Sequence, residues 1–157
     1  MKISKKVISL LVASVLAFSL AGCGIANRTA ISSDKFTSVM EDNKYTVEEA
    51  SDLAGTYKAD KAFYAYNADS SIVLIFLEYG ATADAKTAYD SLKTDLDGIK
   101  TDSSKSSEKN IANYSKYVVE NSDEYGVISR TDNTIVCADV TTGDKSEITS
   151  VLKDLGY

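Results

Sequence analysis

Six consecutive apolar residues, Ile72-Val-Leu-Ile-Phe-Leu77, constrain this chain more than any other stretch. Side chains along a strand point alternately to opposite faces. A strand apolar on both faces therefore needs cover on both, or a central place in a sheet with a helix layer on one side. Just before it, Phe63 and Ala65 alternate with Tyr64 and Tyr66, and Asn67-Ala-Asp-Ser-Ser71 has the composition of a turn. The two runs together predict a β-hairpin.

The flanking segments switch to helical spacing. From Thr82, Ala85, Ala88, Tyr89, Leu92 and Leu96 recur at i, i+3, i+4, i+7 and i+11, with Thr82 as a candidate cap and Gly98 as a stop. Ser33 is placed to cap an earlier helix carrying Phe36, Val39 and Met40, which Asn43 closes. The last helix begins at Asp144 and carries Ile148, Val151, Leu152 and Leu155. Gly156 suits a left-handed cap that folds Tyr157 back over Leu152. Residues 46–55 fit two patterns. Tyr45 and Val47 can begin a strand, whereas Thr46-x-x-Glu49 followed by Ala50, Leu53 and Ala54 suits a short helix before Gly55.

Residues 100–110 lack an apolar side chain and are expected to form a mobile loop. Three strand-like segments follow, Ile111–Glu120, Tyr125–Arg130 and Thr134–Val140, joined by short polar turns that favour a meander. The expected class is α+β, an antiparallel sheet of about five to six strands with helices packed on it. The order is roughly α-β-β-β-α-β-β-β-α, and the two halves suggest an αβββ duplication starting near Ser33 and near Thr82.

The N-terminus carries a different kind of information. Lys2, Lys5 and Lys6 precede an uncharged run from Val7 to Gly22, about 16 residues against the roughly 20 that a membrane-spanning helix needs. A basic region, a short apolar region and small residues are the layout of a secretory signal peptide. The run ends in Leu20-Ala21-Gly22-Cys23, which resembles the lipobox of bacterial lipoproteins. That resemblance implies diacylglycerol in thioether linkage on Cys23, cleavage between Gly22 and Cys23, and a protein anchored on the extracytoplasmic face of the cell membrane. Two acyl chains anchor firmly where one exchanges, since each buried methylene contributes about 0.8 kcal/mol. Residues 1–22 are then the cleaved signal, 23–31 a lipidated tether, and 32–157 one soluble domain. Signal, size and composition together resemble small surface lipoproteins of Gram-positive bacteria.

Loss of residues 1–22 removes three Lys and no acid, so the formal charge moves from −6 to −9. An acidic domain of this kind disfavours nucleic acid as a partner, because nucleic acid is bound through basic patches. With Cys23 acylated, Cys137 is the remaining thiol and has no intrachain partner. Its surroundings, Thr134-Ile-Val-Cys-Ala-Asp-Val140, read as a buried strand.

The chain has no His and no Trp, which excludes Ser-His-Asp and Cys-His catalysis and histidine zinc sites. Asp95-x-Asp97-Gly98 fails as a calcium loop. With Gly98 at loop position 6, Lys93 and Ser104 stand where carboxylates are required. Ser106-x-x-Lys109 and Ser150-x-x-Lys153 match serine–lysine spacing without its companion motifs. No catalytic residue, metal site or cofactor is therefore assigned. Tyrosine is the distinctive residue, with ten Tyr against four Phe. Tyr64, Tyr66, Tyr114 and Tyr117 are candidates for a binding surface, although tyrosine is also an ordinary half-buried strand residue. Arg130 joins them, with a fixed carboxylate as its expected structural partner and a ligand carboxylate as the rival. The leading expectation is a non-enzymatic module for a protein, cell-wall or glycan partner, or an envelope-structural part. A small-ligand carrier with a pocket between helices and sheet is the alternative, and a carboxylate-based enzyme comes third.

Overall fold

The computed structural model describes residues 27–157. Gly22 and Cys23, and with them the cleavage and lipidation sites, lie outside the described residues. The described chain is α+β, with one antiparallel sheet of seven strands and four α-helices. The elements are α1 (Ser33–Asp42), β1 (Thr46–Glu49), α2 (Ser51–Tyr57), β2 (Lys61–Tyr66), β3 (Val73–Glu78), α3 (Thr82–Leu96), β4 (Lys105–Ile111), β5 (Tyr114–Glu120), β6 (Glu124–Thr131), β7 (Thr134–Thr141) and α4 (Lys145–Asp154). Across the sheet the strands run β1-β2-β3-β7-β6-β5-β4.

The sheet is covered on both faces, as the apolar run in β3 requires. Leu74 and Phe76 point to the face packed by α1 and α4, with Phe36, Met40, Ile148 and Leu152. Ile75 and Leu77 point to the other, where α3 contributes Ala85, Ala88, Tyr89, Leu92 and Leu96. Leu53, Ala54 and Tyr57 of α2 add to that second layer. The small Ala85 and Ala88 bring α3 close to the strands. Gly126 allows a second close approach, since a side chain there would overlap Leu96.

Several expectations change. The sheet has seven strands rather than five to six, for two reasons. The ambiguous residues 46–55 contain both alternatives, β1 followed at once by α2. Residues 105–110 of the expected loop, together with Ile111, the expected first residue of the next strand, form β4. β4 is an edge strand with one paired side, and its registry with β5, Lys105 opposite Glu120 to Ile111 opposite Tyr114, supplies backbone hydrogen bonds that need no apolar side chains. Its polarity, which reads as a loop in sequence, is what an edge strand in water tolerates. The expected order of three strands per half is replaced accordingly. A repeat related by a two-fold axis normal to the sheet, between the antiparallel neighbours β3 and β7, would keep its helix on one face. α1 and α3 lie on opposite faces, so the fold does not show the αβββ duplication. Thr82 is the first residue of α3 rather than its cap, which is Ala81, and Ser32 rather than Ser33 caps α1 by accepting from the Lys35 amide at 3.2 Å. Gly98 ends α3 through a 3₁₀ turn, Asp97–Ile99.

The predicted end of α4 is present in full. Gly156 has φ +85°, the Tyr157 amide donates to the Leu152 carbonyl at 2.8 Å, and the Gly156 amide donates to that of Lys153 at 3.0 Å. This is the paired pattern of a Schellman closure. Part of the segment expected as a tether, 23–31, lies against the domain. Arg28 already rests on the domain, its guanidinium 3.6 Å above the Tyr114 ring and its amide donating to Asn113 Oδ1 at 2.9 Å.

Candidate ligand-binding site

Two cavities lie between α3 and the sheet, at opposite ends of the helix. The register of β3 with β7 puts Val73 and Asp139 at one end of the strands, and Glu78 and Thr134 at the other. At the first end, the C-terminal half of α3 borders a cavity of about 290 Å³. Val73, Ile75, Leu92, Leu96, Ile99 and Ile128 give it apolar walls, and the exposed Asp95 and Asp139 supply polar groups. Partial desolvation of its carboxyl against the cavity wall, and then the nearby Glu124 carboxylate, raise Asp139 above its ordinary value. A wider hollow of about 520 Å³ between α2 and α3 is lined mainly by polar side chains, among them Thr56, Lys58, Asp84, Thr87 and Ser91.

Cys137 belongs to the wall of the apolar cavity but is not a reactive group. It is buried, and burial pushes its thiol up to about 12. A thiol held protonated at neutral pH is a poor nucleophile.

The tyrosines do not gather on one surface. Tyr114 and Tyr117 are both buried, on opposite faces of the sheet. Tyr64 and Tyr66 are half-buried on β2, and their hydroxyls donate to Asp52 and Glu48. Each hydroxyl of those two has a carboxylate partner from its own neighbourhood, as ordinary strand tyrosines do. Arg130 lies on β6 beneath the N-terminal half of α3 and is 7 % exposed. The expected structural carboxylate is missing. Its Nη1 donates to the Asp132 carbonyl at 3.0 Å and its Nη2 to Ser115 Oγ at 3.0 Å. No carboxylate comes within ion-pair distance of it among the described residues.

Asp97, rejected as a calcium ligand by its spacing, has protein partners. Lys100 Nζ pairs with Asp97 Oδ1 at 2.7 Å and the Tyr117 hydroxyl donates to the same oxygen. Lys100 first and Tyr117 second hold this carboxyl below the usual carboxylate range. Because the unfolded chain protonates Asp at about pH 3.9, the stabilisation is fully present above that value and is lost as pH falls through the lower folded value. Asp97→Asn is therefore expected to lose less stability than the parent between pH 5 and pH 3, roughly the acid range that linkage assigns to a depressed Asp. Urea midpoints at the two pH values measure it, and equal losses would remove Asp97 from the acid response.

Among the described residues no three His, Cys, Asp or Glu side chains gather as a metal site would need, and no helix is long and apolar enough to cross a membrane. No family model and no curated protein matches the chain. Among solved structures, the fold resembles a GTP binding regulator from Thermotoga maritima at 17 % identity, covering 83 % of this chain and 89 % of that one with a TM-score of 0.52. At that identity the likeness extends to the architecture alone.

Proposed function

We propose that this chain is a lipid-anchored extracytoplasmic binding protein, without enzymatic activity, whose domain holds a small and largely apolar ligand beneath the C-terminal half of α3. The observation that carries the reading is the cavity of about 290 Å³ with eight aliphatic lining residues and two carboxylates. Ligand sites are commonly concave, mostly apolar, and furnished with a few polar groups that orient the guest. The volume sits just below the usual range for drug-sized guests, roughly 300–1,000 Å³, which points to a compact molecule. The anchor rests on Leu20-Ala21-Gly22-Cys23 and on the uncharged run before it. A protein or cell-wall partner has less support, since the tyrosines that suggested one are dispersed and have internal partners.

The test has two arms. Cys23→Ala is expected to abolish incorporation of labelled palmitate and to release the protein from the membrane fraction. Continued labelling would sink the anchor. For the cavity, the neutral dye N-phenyl-1-naphthylamine is expected to bind saturably, and Val73→Trp with Ile99→Trp to fill the space. Loss of about 1.4 kcal/mol of binding is a tenfold weaker dissociation constant. Undiminished dye binding by the filled variant would show that the cavity is not the site.

A further inference from the structure

The second cavity, at the N-terminal half of α3, has a volume of about 270 Å³ and is lined by Arg130, Ser115 and Tyr89, with Lys86, Asp90, Glu108 and Asn110 around it. Two of its lining side chains are unsatisfied. Tyr89 is 3 % exposed and its hydroxyl has no hydrogen-bond partner, and the Nε of Arg130 has none either. A buried cation without a counter-ion, beside a buried hydroxyl without a partner, costs stability in the unliganded protein. Apolar residues at both positions would remove that cost, so packing alone does not account for them.

We propose that this cavity is a second binding site, taking the carboxylate of a small organic acid on the Arg130 guanidinium and the Tyr89 hydroxyl. The guanidinium presents a planar fork that matches a carboxylate, and two of its nitrogens are already fixed by Ser115 Oγ and the Asp132 carbonyl. Tyr89 is the third residue of the α3 stripe, after Ala85 and Ala88, and lines the same cavity as Arg130. Both unpaired atoms are closed from solvent in the unliganded structure, so an entering acid requires the side chains lining the cavity to move aside. Charge around the cavity limits the guest. Lys86 is paired with Asp90 at 3.8 Å and Glu108 with Lys93, and the Lys93 pairing holds the Glu108 carboxyl below its ordinary value and therefore ionised. A second carboxylate on the ligand would meet Asp90 and Glu108, so the site selects a monoanion.

The experiment titrates the full-length, detergent-solubilised protein with sodium butyrate by calorimetry, with sodium chloride at equal ionic strength and disodium succinate as comparisons. Saturable one-to-one binding of butyrate, with no saturable chloride binding and succinate at least tenfold weaker, is the expected result. Tyr89→Phe separates a ligand role from a structural one. Because the hydroxyl is unpaired without ligand, this variant is expected to keep or raise its Tm while binding butyrate roughly ten- to hundredfold more weakly, the loss of one hydrogen bond to a charged group. Arg130→Gln, checked for folding by circular dichroism, is expected to bind no butyrate. Absence of saturable butyrate binding by the parent, unchanged affinity in Tyr89→Phe, or a lowered Tm for that variant would each overturn the proposal. The dye cavity at the other end of α3 is expected to be unaffected by Tyr89→Phe, which keeps the two sites distinguishable.

Discussion

Phe76→Ala is expected to lower the unfolding free energy by about 3–5 kcal/mol, the range for truncating a fully enclosed aromatic side chain. Phe76 is 0 % exposed and lies on β3, between β2 and β7 in the sheet. Its ring stacks on Phe36 of α1 with centroids 4.8 Å apart and meets Phe63 of β2 at 6.5 Å. One side chain thus joins a helix to the strands at the centre of the first core layer. Truncation removes buried area and leaves a void that the neighbouring β-strands cannot collapse to fill. Ile75 is its control, since it is the next residue, faces α3 and is only half-buried beside an existing cavity. Ile75→Ala is expected to cost about 2 kcal/mol, the low end for this substitution. Urea titrations of both variants measure the difference, and equal losses would contradict the asymmetry of the two faces.

The second large effect is at Tyr157. Tyr157→Ala is expected to cost about 3 kcal/mol, and Tyr157→Phe about 1 kcal/mol. The ring is 8 % exposed, and its hydroxyl lies 2.6 Å from Thr134 Oγ1 in a buried setting. Thr134 Oγ1 also bonds the Thr131 carbonyl, so loss of the phenol leaves it one partner, which keeps the Phe variant mild. The Ala variant loses the aromatic area that covers α4 and β7 while retaining the amide bond to Leu152. Tm values for the two variants separate these contributions. A Phe variant as damaging as Ala would mean that the hydroxyl, not the ring, holds this terminus.

How much of this was legible in the sequence depended on whether a side chain reports its own surroundings. The stripe of α3 and the Gly156 closure are local patterns, and they reappear residue for residue in the structure. The run in β3 told that both faces would be covered, because six apolar side chains in a row leave no face for water. β4 was hidden for the opposite reason. Lys105 to Asn110 carry no apolar side chain, and the pairing that orders them is made by backbone atoms of β5, about which the local sequence is silent. The helix α2 was half visible, as one of two alternatives for a segment that holds both.

The cavities divide in the same way. Arg130 stood out as a lone arginine, but its partners, a carbonyl two residues away and Ser115 on the next strand, depend on the register of β5 with β6. Tyr89 was read only as core, since it falls on the apolar stripe. Its unpaired hydroxyl becomes meaningful only beside Arg130, forty-one positions further along the chain. The apolar cavity at the other end of α3 draws its walls from β3, α3, β6 and β7, so no single stretch announces it.

The docking of Arg28 shows at which end of the sheet the N-terminal segment leaves the domain. Besides Tyr114 and Asn113, its Nη1 reaches the Gly156 carbonyl at 3.2 Å, at the end of the sheet where the turns after β4 and β6 meet. Cys23 is five positions earlier, a leash of about 17 Å at full extension. On the proposed anchor, that reach limits how far this end of the sheet can stand from the lipid. The Arg130 cavity then lies at the tethered end of the domain, and the apolar cavity near Val73 and Ile99 at the end away from it.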